Sequence, residues 1–165
     1  MLFGSIGIIH TPYLKDSHVP YQPIDTGTDD KHEFFVDIDD KYVRGLYRLE
    51  TFRYIYLLYH IDRLSHSVES TVQPPWAGGM QVGVFASRAP ARPNPVGLSV
   101  VRLRSVESSR VYTSALDVFD KTPLLDIKPY IIDLDSKPDA NLGWVEQLPN
   151  CDHLMLHIKG VPHDY

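Results

Sequence analysis

Residues 82–101 read VGVFASRAPARPNPVGLSVV. Arg88 and Arg92 lie four apart here, among Pro90, Pro93, Asn94 and Pro95. Each proline removes a backbone donor and holds φ at about −65°. The residue before each is pushed toward extended backbone. The segment is therefore neither helix nor central strand, but a stiff connection carrying two fixed cations. A guanidinium grips a carboxylate or phosphate through parallel N–H groups, so one available chemistry is capture of an anionic ligand. A proline-stiffened hairpin whose arginines pair with surface carboxylates fits the same residues equally well.

Other chemistry-bearing types are scattered. Residues 120–130 read DKTPLLDIKPY, and Asp126 and Lys128, two apart, share a face on a strand and can pair. His60 and Asp62 close an apolar run, either as a base with its orienter or as a polar strand edge. Asp37, Asp39 and Asp40 are close enough to suggest a divalent cation. No glycine-containing ligand loop of the right spacing follows, so a solvated turn is the better reading. His153 and His157 would share a helix face, but no third ligand is evident. No metal site is expected.

The elements that must position these residues are short. Apolar runs predict strands over residues 3–10, 33–38, 54–61, 82–86 and 96–101. The run 54–61, YIYLLYHI, reads as a buried wall strand. Residues 42–51 space Val43, Leu46, Tyr47 and Glu50 as a short helix. In residues 100–106, Val101 and Leu103 alternate with Arg102 and Arg104. A hairpin turn follows over 107–110 and a returning strand over 111–119. Trp76, in the turn-rich connector 67–81, is read as a core or interface residue. Many short strands with turn signals predict an all-β fold, a small β-barrel with short helices and long functional loops. Without strand–helix alternation or a GxGxxG after a strand, the doubly wound nucleotide-binding fold is not expected. Residues 1–145 form the expected domain, and 146–165 a tail with one added strand at most.

Composition narrows the class. A chain of 165 residues with 43% hydrophobic and 22% charged residues suits one soluble globular domain. The net charge of −5 argues against non-specific nucleic-acid binding. A local basic stripe of Arg88, Arg92, Arg102 and Arg104 leaves a specific RNA contact open. The single cysteine, Cys151, excludes an internal disulfide framework and fits a reducing compartment. No run approaches ~18 apolar residues, so no transmembrane helix is expected, and a cytoplasmic location is the default.

Two long motifs, VFASR…RPNPVGLS (residues 84–99) and DKTPLLDIKPY, closely resemble the signature of the TsaA-like, TrmO family, as do IGIIHTPY and VPYQP near the start. The resemblance implies a small β-barrel that uses S-adenosylmethionine to methylate N6 of N6-threonylcarbamoyladenosine at tRNA position 37, acting as a cytoplasmic homodimer on the anticodon loop. It implies cofactor contacts from Gln22, Pro23, His60, Asp62, Arg88, Leu98, Asp120, Lys121, Thr122 and Pro123. Arg92, Asn94 and Lys128 would meet the acceptor, and Asp120 or Tyr130 would assist removal of its proton. The chain departs from the family pattern at Asp62, where a histidine is usual, and at Lys121, where glycine is usual. Other expectations on the same fold are a different methyl acceptor, or a non-catalytic cofactor-binding or RNA-binding barrel.

Overall fold

The computed structural model describes residues 4–14, 33–64 and 68–149, together with Val19, Cys151 and Leu156. The strands are β1 (Gly7–His10), β2 (Phe35–Ile38), β3 (Tyr54–His60), β4 (Thr71–Val72), β5 (Val82–Gly83), β6 (Val96–Glu107), β7 (Arg110–Thr113) and β8 (Thr122–Pro129). Six of them form one antiparallel sheet, in the order β1-β2-β7-β6-β3-β8. The first part of β8 pairs with β1 and the rest with β3, so the sheet closes on itself. Register shifts at Leu58/Tyr59 and at Leu103/Ser105 supply the local bending that closure requires.

Alternation along the strands fills the interior. Ile9, Val36, Ile55, Leu57, Val101, Val111 and Leu124 point inward and are almost fully buried. Each contributes about 1.5–3 kcal/mol of burial. The run at 54–61 is thus not buried on both faces: Ile55, Leu57 and Tyr59 face in, while Tyr54 and His60 are exposed. Aromatic residues on its outer face made it look apolar throughout.

Other elements differ from their expected form. Of residues 82–86 only Val82–Gly83 is strand, paired with β4. Val84 is then drawn into the core, at 2% exposure, and Val84–Ala86 coils into a 3-10 turn. The returning strand stops at Thr113 rather than 119. There the Ser114 N–H donates to the Arg102 carbonyl at 2.9 Å and the Ser114 hydroxyl accepts from the Arg102 N–H at 3.0 Å. Leu116 and Val118 then pack into the interior instead of extending the ladder. The helix expected at 42–51 is two 3-10 segments, Asp40–Leu46 and Leu49–Thr51, separated around Arg48 at φ 68°. A short α-helix, α1 (Ile132–Asp135), follows β8. His153 and His157 lie outside the described residues.

Gly97 on β6 pairs with Tyr59 on β3, and a Cβ at position 97 would fall within the Tyr59 ring. That ring is buried and its hydroxyl bonds the Ser99 hydroxyl at 3.0 Å. Gly97→Ala is expected to destabilise the fold by about 1–3 kcal/mol, the usual cost of overpacking. Urea unfolding measures it.

Candidate functional site

One end of the closed sheet collects most of the residues with chemistry. It comprises the end of β1, the start of β2, the end of β3, the starts of β6 and β8, and the loops 84–95 and 114–121. The antiparallel pairing forces this gathering, because His10 sits opposite Phe35 and His60 opposite Val96.

The arginine loop is built from its own side chains. Arg92 Nη1 donates to the carbonyls of Val84, Ser87 and Ala89 at 3.0, 2.8 and 3.3 Å. Arg88 Nη2 donates to the Leu98 carbonyl at 2.9 Å, tying the loop to the outer edge of β6. Leu98 itself is exposed. Trp144 Nε1 donates to the Ala86 carbonyl at 2.8 Å, and its ring stacks on Trp76 at 5.5 Å with a 3° angle between planes. Trp76 is therefore neither a free stacking platform nor a fully buried core residue. The expected basic stripe does not form as such, since Arg92 turns back onto its own loop.

The turn before β8 is fixed by β1. The Asp120 N–H donates to the Tyr13 carbonyl at 2.7 Å and the Lys121 N–H to the Ile9 carbonyl at 2.8 Å. Lys121 takes the left-handed conformation at φ 66°, the strained option that a non-glycine residue faces here. The Asp120 carboxylate lies 3.0 Å from His10 Nδ1, and His10 Nε2 lies 3.5 Å from Asp37. Asp37 is held by Arg110 through two bonds, at 2.7 and 3.0 Å. That pairing accounts for Asp37, while Asp39 and Asp40 are exposed where the first 3-10 segment begins. Sequence reading missed His10 because 110 residues separate it from Asp120.

Asp117 was also missed. Its Oδ1 is sealed from solvent and has no hydrogen-bond partner among the described residues. Burial pushes its carboxyl above the usual range, and its own backbone N–H and Arg88 pull it partly back. The same carboxylate helps raise the pKa of Tyr59 and Tyr13, behind the larger effect of burial. Arg88, Tyr59 and Tyr13 thus share one electrostatic neighbourhood with Asp117. The available signal was an acid set between Leu116 and Val118 in an otherwise apolar run.

The other expected site residues divide between this end and the far end of the sheet. His60 is exposed at the end of β3, opposite Val96. Asp62 lies 3.6 Å from Arg63. Asn94 is exposed on the loop, where its carbonyl accepts from the Val96 N–H at 2.7 Å. Thr122 and Pro123 pair with Ile9 and Ile8. Lys128 and Tyr130 belong to the far end of β8, about 23 Å along the strand. There Lys128 pairs with Asp126 at 2.7 Å and Tyr130 packs near Tyr56 at 5.6 Å. Within one chain, Tyr130 therefore does not stand beside Asp120. Gln22 and Pro23 lie outside the described residues.

The raised carboxyl of Asp117 fixes the sign of one prediction. The folded chain holds this proton at a higher pH than the unfolded chain does. Stability therefore falls as pH rises from the ordinary carboxylate range to the raised value, and stays reduced above it. Asp117→Asn is expected to stabilise the ligand-free protein at pH 7 by about 1–3 kcal/mol, the cost of an unpaired buried group. The gain should vanish below about pH 4, where the unfolded carboxyl is protonated as well. Thermal unfolding at both pH values checks it.

Comparison with known proteins places the chain in a family. Residues 8–136 match the family described as tRNA-methyltransferase O N-terminal domain. The chain is 38% identical over 145 residues to a probable S-adenosyl-L-methionine-binding protein of Pyrococcus abyssi, covering 88% of this chain and 76% of that protein. It is 35% identical over 155 residues to the tRNA (adenine(37)-N6)-methyltransferase of Escherichia coli, covering 89% of this chain and 65% of the relative. The crystal structure of TrmO from Pseudomonas aeruginosa superimposes with a TM-score of 0.68 at 31% identity, covering 87% of this chain and 62% of that one. The chain thus spans less than two thirds of either bacterial protein. A match over most of its length, with the shared architecture, means that the chain belongs to the tRNA-methyltransferase O N-terminal domain family.

Proposed function

We propose that this chain binds S-adenosylmethionine at the gathered end of the sheet and transfers its methyl group to N6 of threonylcarbamoyladenosine at tRNA position 37. The observation that carries the reading is Asp117. A carboxylate with one oxygen sealed and unpartnered among the described residues, beside Arg88 and a turn fixed by the end of β1, is what a charged small ligand would complete.

The transfer is an in-line displacement that needs no metal. The sulfonium S–CH3 bond breaks, an N6–CH3 bond forms, and the N6 proton leaves. Positioning supplies most of what the protein must contribute. Arg88 suits the methionine carboxylate, Leu98 an apolar wall, and Asp117 and Asp120 the ammonium and ribose hydroxyls. Gln22, Pro23, His60, Asp62 and the turn at Lys121, Thr122 and Pro123 are assigned further contacts to the cofactor. Asp120, oriented by His10, is the group offered for the departing proton. Arg92, beyond its loop contacts, and Asn94 are assigned to the threonyl carboxylate of the acceptor.

A homodimer belongs to the same proposal. The outer faces of β3 and β6 expose Tyr54, Leu98 and Val100, and α1 exposes Ile132 and Leu134. Pairing two such faces would cover apolar surface, and it is the one way for Lys128 and Tyr130 to approach the site. A cytoplasmic location goes with a tRNA acceptor.

The deciding experiment transfers labelled methyl from S-adenosylmethionine to two tRNA pools, one carrying threonylcarbamoyladenosine and one lacking it. Label in the first pool alone is expected. Label in both points to another acceptor, and label in neither, with the cofactor still bound, to a non-catalytic binder. Arg88→Ala should weaken cofactor binding by about tenfold or more, since a bond to a charged group is worth roughly 1.5–3 kcal/mol. Calorimetric titration reads that loss. Light scattering should give twice the chain mass of 18.8 kDa, and a clean monomer would remove the dimer.

A further inference from the structure

Phe85 is 79% exposed, although it sits inside the signature loop. An exposed phenylalanine on a loosely held segment would carry little meaning, but this one is held out by a fixed backbone. Val84, one residue before, is anchored in the core, and its N–H donates to the Ser70 carbonyl at 3.0 Å. The Val84 carbonyl accepts from Arg92 at 3.0 Å and from the Ser87 hydroxyl at 3.1 Å. Ala86, one residue after, is held through its carbonyl by Trp144. The turn is pinned on both sides of Phe85, so the ring is presented in advance of any ligand.

Charge adds a second, independent observation. Residues 70–99 contain two arginines, Arg88 and Arg92, and no Asp or Glu, in a chain with 21 acidic and 16 basic residues. An acidic protein thus keeps one continuous stretch free of carboxylates, and Phe85 lies within it. The Arg92 guanidinium lies over the Phe85 ring, 5.9 Å from its centroid. An aromatic face beside a cation, in a segment without anions, matches an unpaired nucleotide: the base stacks on the ring and the phosphate meets positive charge.

We propose that Phe85, with Arg92 beside it, is a stacking platform for an unpaired nucleobase of the RNA. The proposal rests on the tRNA reading above, and deepens it by assigning a contact for a nucleotide next to the methylated one. Trp76 does not fill this role, because its ring is already stacked on Trp144.

The test uses binding and methyl transfer separately. A fluorescently labelled anticodon stem-loop RNA is titrated with the full chain and with Phe85→Leu and Phe85→Tyr, and read by anisotropy. Because Phe85 is exposed, neither change should unfold the protein, and circular dichroism checks this. Phe85→Leu should weaken RNA binding roughly 5- to 100-fold and Phe85→Tyr by no more than about twofold, since stacking needs a π face rather than apolar bulk. Cofactor affinity by calorimetry and mass by light scattering should not change. RNA binding by Phe85→Leu equal to the unaltered chain would overturn the platform, as would an unaltered chain that does not bind the RNA. A loss of assembly mass in Phe85→Leu would overturn it in favour of a contact between copies. If Phe85→Leu loses RNA affinity while the unaltered chain transfers no methyl group, the platform stands and the methyltransferase reading falls. If the unaltered chain transfers methyl and Phe85→Leu binds RNA as tightly, the platform falls and the methyltransferase reading stands.

Discussion

The arginine loop of this protein depends on one guanidinium. Prolines 90, 93 and 95 strip the loop of amide donors, and a loop carbonyl without a donor must find one elsewhere. Arg92 supplies it, with Nη1 lying among three carbonyls from three different residues. The side chain acts as a substitute backbone. Everything set by the loop follows from that, including the direction of Phe85, the reach of Arg88 to β6 and the carbonyl of Ala86 that Trp144 grips.

The opposite wall of the site is set by strand pairing. β8 has two neighbours, so the turn before it is fixed by the end of β1 rather than left to swing. A line of polar contacts runs along this wall from Arg110 to Asp37, His10 and Asp120. Asp37 is held by Arg110, while the Asp120 carboxylate meets His10 Nδ1 and the Thr11 N–H. The left-handed Lys121 is tolerated because its N–H is held by Ile9. The surrounding structure over-determines the turn, and the strain persists for that reason.

Much of this was readable from residue order. The strand content, the stiffness of the arginine loop and the pairing of Asp126 with Lys128 follow from local chemistry. The inward alternation of Val101 and Leu103 was equally plain. What failed was long-range or depended on competition. Val84 left its strand because the core could take it. Ser114 ended β7 through a side-chain bond to Arg102 that no periodicity announces. His10 and Asp117 were invisible as site residues because their meaning lies in what surrounds them in space. Tyr130 was grouped with Asp120 by closeness in sequence, whereas an extended strand carries residues apart at its full rise.

The stack of Trp76 on Trp144 has an optical consequence. The chain has two tryptophans, and both lie in this one parallel pair, bonded to the loop through Ala86. The intrinsic emission and the near-ultraviolet dichroism of indole therefore originate at a single place. Two indoles stacked at this separation couple, so their optical signal belongs to the pair and changes if the rings part. Any event that loosens the arginine loop, or frees residues 143–147 from it, is recorded without a label.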